Sequence, residues 1–306
     1  MRQLVRAPGR RRASAFAPGH VTGLFAPAAS GPDPRARGSV GAGVVLDRGV
    51  VATATWSRDG PRRLSVRSPD TADLPISSEV ARRLWSPSGG TLEVELTHGL
   101  PIGQGFGMSA AGALATALAV AKAMGAPRSR AIEVAHLADL FGGGGLGGVS
   151  AILGGGLEVR ERAGVPPHGR VLHRPFAPSI FLAVTGRPIP SPPLLGDPRF
   201  LARVADAAEE GLEYLQRETS VERFLVASER FTDRLRLAAP PLRRLVRSMR
   251  SGDVGAAQAM FGRSLFAVAV TPEGRGRVIR SLQKAGLPAV ELNAASRGAF
   301  ARTVGP

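Results

Sequence analysis

The stretch at residues 101–120, PIGQGFGMSAAGALATALAV, sets Gly103, Gly105 and Gly107 at alternate positions directly ahead of a run of small helix-forming residues. Alternate glycines let a backbone adopt φ > 0 and come close to a ligand, while the following helix offers unpaired N–H groups and the positive end of its dipole. Together they make an anion cradle. Ser109 stands where a hydroxyl caps the helix and also reaches a phosphate or its Mg²⁺. A glycine triplet alone is a weak signal, equally compatible with a ligand-free strand-to-helix turn. The spacing fits neither G-x-x-x-x-G-K-[ST] nor the dinucleotide fingerprint, which needs an acidic residue ~20 positions further on.

Upstream, TLEVELTHGL turns Leu92, Val94 and Leu96 to one side, which predicts a half-buried strand leading straight into the loop. Earlier still, ASAFAPGHVTGLFAP predicts a short strand broken by Pro18 and Gly19, and GAGVVLDRGVVATATW two β-branched runs forming a hairpin around Asp47, Arg48 and Gly49. Downstream, SRAIEVAHLADLF predicts a helix from about Ser129 to Phe141, stopped by four consecutive glycines, and GGLEVRER a strand. Beyond a proline-rich interval come the apolar strand SIFLAVTG and three segments read as helices, DPRFLARVADAAEEGLEYLQ, SVERFLVASERFTDRL and SGDVGAAQAMFGRSLF. The predicted division is a basic, disordered tail over 1–12, a first unit over 13–175 and a second over 176–306.

Length and composition bound the rest. A chain of 306 residues buries a sizeable core, and the absence of cysteine excludes disulfides and thiolate metal sites. Met108 to Met124 is mostly alanine, carries Ser109, Thr116 and Lys122, and is too short and polar for a bilayer span, so it predicts a buried helix. The N-terminus MRQLVRAPGRRR lacks an apolar signal core, and the expectation is a cytoplasmic protein with no membrane partner. The net charge of +16 is almost all arginine, Lys122 and Lys284 being the only lysines. That suits an anionic ligand, yet aromatic residues interleaved with basic ones are not seen, so no specific nucleic-acid partner is expected.

The full string P-x-G-x-G-x-G-x-S-A-A is more restrictive than its glycines. It resembles the phosphate loop of the GHMP kinases, the superfamily of galactokinase, homoserine kinase and mevalonate kinase. FAPGHVTGLF, GSVGAG, AHLADLFGGGGLGGV and MFGRSLFAV, in this order between about Ala15 and Arg302, are similar to the archaeal pantoate kinase branch. The resemblance implies an α/β (α+β), two-lobed fold, with a ribosomal-protein-S5-like N-terminal lobe for ATP and a ferredoxin-like, helix-rich C-terminal lobe. It also implies transfer of the ATP γ-phosphate to the 4-hydroxyl of (R)-pantoate, in archaeal coenzyme A synthesis. Kinases of this kind are commonly homodimers, an assembly the sequence itself does not fix.

Carried over residue by residue, the resemblance implies a nucleotide-binding segment of Pro101, Gly103, Gly105, Gly107, Met108, Ser109, Ala110 and Ala111. Ser109 and Asp139 become the catalytic pair that holds Mg²⁺, Asp139 being one methylene shorter than the family's glutamate. Ser39, His136, Arg160 and Ser191 become the pantoate contacts, with the Arg160 guanidinium suited to a planar carboxylate. Without the resemblance, Asp139 reads as a surface aspartate, His136 as a core histidine and Arg160 as one surface arginine among many.

Four departures accompany it. Gly148 stands where the family carries an aspartate thought to orient or deprotonate the attacking hydroxyl, and Gly144 where it carries a threonine. Pro190 enters the segment that ends at Ser191, and ELNAASRGAFAR matches the family's terminal motif only loosely. Phosphoryl transfer rests mainly on positioning and electrostatics, so a base is partly dispensable. Glu158 would replace the missing carboxylate only if the fold brought it there. Three alternatives stay open at this point: a nucleotide-binding relative without turnover, a kinase for another small alcohol such as homoserine or mevalonate, and a salt-sensitive nucleic-acid binder.

Overall fold

Two long strands frame the molecule, β1 (Arg10–Ala29) and β2 (Arg37–Ser57), joined through a short 3-10 helix at Pro34–Ala36. The computed structural model describes residues 9–85 and 88–305. The first eight residues of the expected tail lie outside that range, and Arg10 to Arg12 belong to β1 and pair with Thr55 to Ser57. The predicted break at Pro18 and Gly19 is instead an irregularity inside one strand, with register shifts between Pro18 and His20 and between Thr22 and Leu24. Such bulges absorb a residue that donates no ladder hydrogen bond while the pairing continues on either side.

The predicted hairpin at Asp47–Gly49 is likewise overturned, because β2 runs straight through it. There the strand exchanges neighbours, from β5 on one side of the polar triplet to β4 on the other. The polar groups of Asp47 are met by Asn293, whose carbonyl accepts from the Asp47 N–H at 3.0 Å. A turn is not needed to satisfy them.

Then follow β3 (Arg63–Arg67), α1 (Pro75–Trp85), β4 (Thr91–His98), α2 (Met108–Met124), α3 (Arg128–Phe141), α4 (Gly148–Ala151), β5 (Leu157–Arg162) and β6 (Arg170–Arg174). Strand β4 buries Leu92, Val94 and Leu96, and α2 occupies the span expected for it. That helix is apolar all round because the first sheet, α1 and α3 enclose it, and its alanines let those neighbours close in. Among the described residues no helix is long and apolar enough to cross a membrane.

The chain continues through β7 (Ser179–Val184), α5 (Ser191–Leu195), α6 (Pro198–Arg217), α7 (Val221–Leu235), α8 (Pro240–Met249), β8 (Val254–Gln258), β9 (Ser264–Ala269), α9 (Pro272–Lys284), β10 (Val290–Leu292) and β11 (Phe300–Val304). The segment SGDVGAAQAMFGRSLF, read as a helix, forms the β8 and β9 strand pair. Both strands are buried on both faces, so the alternation that marks a half-exposed strand is missing and alanine content misleads.

The first sheet runs β11-β1-β2-β4-β3, with β5 on β2 and β6 on β5; the second runs β10-β7-β9-β8. Strand β7 opens the second sheet close to the division expected near residue 175. Strand β11, however, returns to pair with β1, and α6 and α7 pack on β1 as well. The C-terminal stretch therefore does not form a unit apart from the first sheet.

Candidate active site

Between β4 and α2 the chain passes Gly103, Gly105 and Gly107 at φ of 73°, 75° and 74°. This is the left-handed region that side chains disfavour, so the alternate glycines are a backbone requirement. The loop is tied down at Gln104. Its side-chain amide donates to the Gly186 carbonyl at 2.8 Å, and its carbonyl accepts from Ser264 Oγ at 2.5 Å. Both partners belong to the second sheet or its flanks.

Gly107 is the N-cap of α2 and offers no side-chain cap, which corrects the expectation for Ser109. Ser109 lies inside the first turn, and its Oγ donates to Asp139 Oδ1 at 2.6 Å. Asp139 comes from α3 and is buried, which pushes its carboxyl up to about 7 against the opposing hydrogen bond from Ser109. A buried carboxylate held by one hydroxyl beside a glycine loop has the right donors for a cation shared with a nucleotide. Mg²⁺ characteristically takes one or two carboxylates and completes its shell with phosphate oxygens and water. Among the described residues no group of three or more His, Cys, Asp or Glu forms a cage for a metal. The residues present thus fit a metal that arrives with phosphate, not one bound by protein alone.

A cavity opens beside this pair. Its lining brings together Ser39, Gly103, Gly105, Gly107, Met108, Ser109, Ala110, Asp139, Arg160 and Ser191, from two strands, three helices and the loop. Three expected residues are elsewhere. Pro101 is exposed beside a separate surface cleft with Asp70 and His98, and Ala111 is enclosed in the core behind the loop. His136 is also buried outside the lining, near the backbone of Pro34 and Arg37, with burial lowering its pKa. Its Nε2 is buried with no hydrogen-bond partner among the described residues.

Arg160 is 3 % exposed, and its Nε has no hydrogen-bond partner among the described residues. Its Nη1 donates to the buried carboxylate of Glu158, which also accepts from His20 Nε2 at 2.9 Å. Glu158 is not part of the cavity lining. It backs Arg160 and His20 and does not stand in for the missing carboxylate at Gly148.

The two glycine departures have steric counterparts. A Cβ on Gly148 would lie 2.6 Å from Ala110 Cβ, and one on Gly144 would run into Asp139 Oδ1 and Ser109 Oγ. In this chain the glycines let the loop after α3 close onto the Ser109–Asp139 pair.

Sequence reasoning missed several lining residues, notably His20, Thr22, Phe25, Leu195, Met260 and Phe261. A signal existed for five of them: Met260 and Phe261 open the MFGRSLFAV motif, and His20, Thr22 and Phe25 lie in the FAPGHVTGLF motif. The His20 N–H donates to Phe106 O at 3.0 Å, fastening that motif to the glycine loop.

The glycine loop capping a buried helix, with the serine–aspartate pair beside it, defines a kinase site of the GHMP type, and residues 76–156 match the family described as GHMP kinases N terminal domain. The chain is 32 % identical to a pantoate kinase of Thermococcus kodakarensis over 262 residues, covering 83 % of this chain and 86 % of that one. It is 29 % identical to a pantoate kinase of Methanospirillum hungatei, covering 84 % and 87 %. A solved structure described as a phosphotransferase related to the CoA biosynthesis pathway superposes with a TM-score of 0.84 at 29 % identity, over 95 % of this chain and 98 % of its own. The chain belongs to the pantoate kinase family of the GHMP kinases.

Proposed function

We propose that this protein phosphorylates (R)-pantoate at its 4-hydroxyl with ATP, yielding 4-phosphopantoate and ADP. The observation that carries the reading is a single cavity lined by the glycine loop, by the Ser109–Asp139 pair and by Arg160, a buried guanidinium with an unpaired Nε. Family membership supports it independently.

The triphosphate lies on the backbone of Gly103 to Ser109, at the positive end of the α2 dipole. Asp139 and Ser109 hold Mg²⁺, which neutralises charge on the phosphate oxygens when bound. Arg160 receives the pantoate carboxylate. A Cβ on Gly147 would meet Ser39 Oγ and lie 2.9 Å from Arg160 Nε, so the serine and the guanidinium edge face one spot, and Ser191 lines the cavity from α5. The 4-hydroxyl oxygen forms the new bond to the γ-phosphorus as the bond to the β-phosphate oxygen breaks. With no carboxylate at position 148, its proton passes to an oxygen of the transferred phosphate and from there to solvent. General-base help is typically worth ~10²- to 10⁴-fold, and a loose transition state depends less on it than on alignment.

The test is ADP release with Mg-ATP and pantoate, homoserine, mevalonate or no acceptor. ADP formation that depends on pantoate supports the reading. ATP binding with no acceptor-dependent ADP would sink it, and preference for another alcohol would redirect it.

A further inference from the structure

The cavity has two chemically distinct walls. One is polar, with Arg160 and Ser39; the other is apolar, with Phe25, Leu146, Leu195, Met260 and Phe261. The walls adjoin at Gly41 of β2, where a Cβ would lie 2.5 Å from Arg160 Nη2 and 2.9 Å from Phe25 Cα. The guanidinium and the aromatic residue therefore flank the same backbone position.

The apolar wall is fixed by its own packing. Phe261 meets Phe25 edge-on, with ring centroids 5.7 Å apart at 86°, and Phe200 of α6 backs it at 5.8 Å. Phe25 rests in turn on Phe231 of α7 at 5.9 Å. Four aromatic rings from β1, α6, α7 and the β8–β9 connection hold one another, a close-packed arrangement that does not yield readily to a misfitting ligand. A kinase that only had to anchor a carboxylate and present a hydroxyl would not need an aromatic corner next to its arginine.

We infer that this corner, Phe25 and Phe261 with Leu195, is the specificity element of the acceptor site, and that it takes the two methyl groups on C3 of the hydroxy acid. The inference rests on the functional reading above. A carboxylate on Arg160 puts C3 only two bonds away, within reach of the Phe25 side of the cavity. Acids that share the carboxylate and both hydroxyls but lack the methyl groups leave the corner unfilled.

The experiment compares kcat/KM for (R)-pantoate and (R)-2,4-dihydroxybutanoate, which differ only in those methyl groups, in the wild type, Phe261→Ala and Phe261→Leu. One methylene in an apolar pocket is worth ~10- to 200-fold, so the wild type is expected to prefer pantoate by at least ~10-fold. Phe261→Ala is expected to lose most of that preference chiefly through pantoate, and Phe261→Leu to keep most of it. Should Phe261→Ala fail to fold, the half-exposed Leu195→Ala supplies the same comparison. Equal kcat/KM for the two acids in the wild type overturns the inference, as does an equal fall for both acids in the truncated variants, which marks a structural role. Turnover of neither acid by the wild type overturns the functional reading and takes this inference with it.

Discussion

His20 and Glu158, 138 residues apart in sequence, meet at 2.9 Å, and the same glutamate oxygen accepts from Arg160. One buried carboxylate therefore holds two polar side chains of the cavity, while the His20 backbone holds the glycine loop. Arg160 and the glycine loop are thereby tied to one anchor.

Replacing that carboxylate is expected to act on substrate binding. Glu158→Gln keeps the shape and removes the charge, leaving Arg160 buried without its ionic partner. Breaking a buried pair costs ~3–5 kcal/mol, part of it recovered here by the amide oxygen. The expected outcome is a pantoate KM raised ~10- to 100-fold, with the ATP KM changed far less. Steady-state kinetics on both substrates check it; equal rises for both would show that Glu158 supports the fold in general.

Asp139 makes the metal-free protein sensitive to pH. Burial pushes its carboxyl up to about 7 in the fold, from about 3.8 when exposed. Between those values the folded state holds the extra proton, so this group's stabilising share is full below about 4 and lost as pH rises through about 7. His20 acts in the opposite sense, since burial lowers its pKa and its share is lost as pH falls below 6.5. Comparing the wild type with Asp139→Asn isolates the first effect. The asparagine variant is expected to gain in melting temperature relative to the wild type between pH 5 and 8, measured without Mg²⁺. A constant difference across that range would contradict the assignment.

Gly105→Ala combines two penalties. Its φ of 75° is left-handed, and a Cβ there would lie 2.8 Å from the backbone of Ala259 and Met260. Gly286, at φ 66° with nothing within 4 Å of its Cβ, carries the first penalty alone. Gly286→Ala is expected to cost ~1–2 kcal/mol and leave ATP binding alone. Gly105→Ala is expected to cost more and to weaken ATP binding at least ~10-fold, because the phosphate cradle itself must shift. Thermal unfolding and nucleotide titration on both variants decide the point.

Restoring the family's aspartate by Gly148→Asp is expected to lower kcat, by ~10-fold or more, and not to raise it. The new Cβ collides with Ala110, and it lies 4.0 Å from Asp139 Oδ2, so a second carboxylate joins a buried one. An increase in pantoate-dependent ADP release would show that the loop opens enough to use a base.

Short-range chemistry made much of this protein readable before any coordinates. The glycines at 103, 105 and 107 need a left-handed backbone whatever surrounds them, the alanine run after them belongs in a helix, and the alternation of Leu92, Val94 and Leu96 belongs in a strand. The motif string from Pro101 to Ala111 pointed to the family, and from it to Ser109, Asp139 and Arg160. Where neighbours in space outweigh neighbours in sequence, the reading failed. The 251–266 segment is alanine-rich yet forms strands because packing encloses both faces, and β2 passes through Asp47–Gly49 because Asn293 satisfies the aspartate. The contact of His20 with Glu158, the link from His20 to the glycine loop and the aromatic corner of Phe25, Phe200, Phe231 and Phe261 join residues tens to hundreds of positions apart. Such contacts leave no local period or spacing in the chain, since they come into being only when the two sheets and their helices close around one cavity.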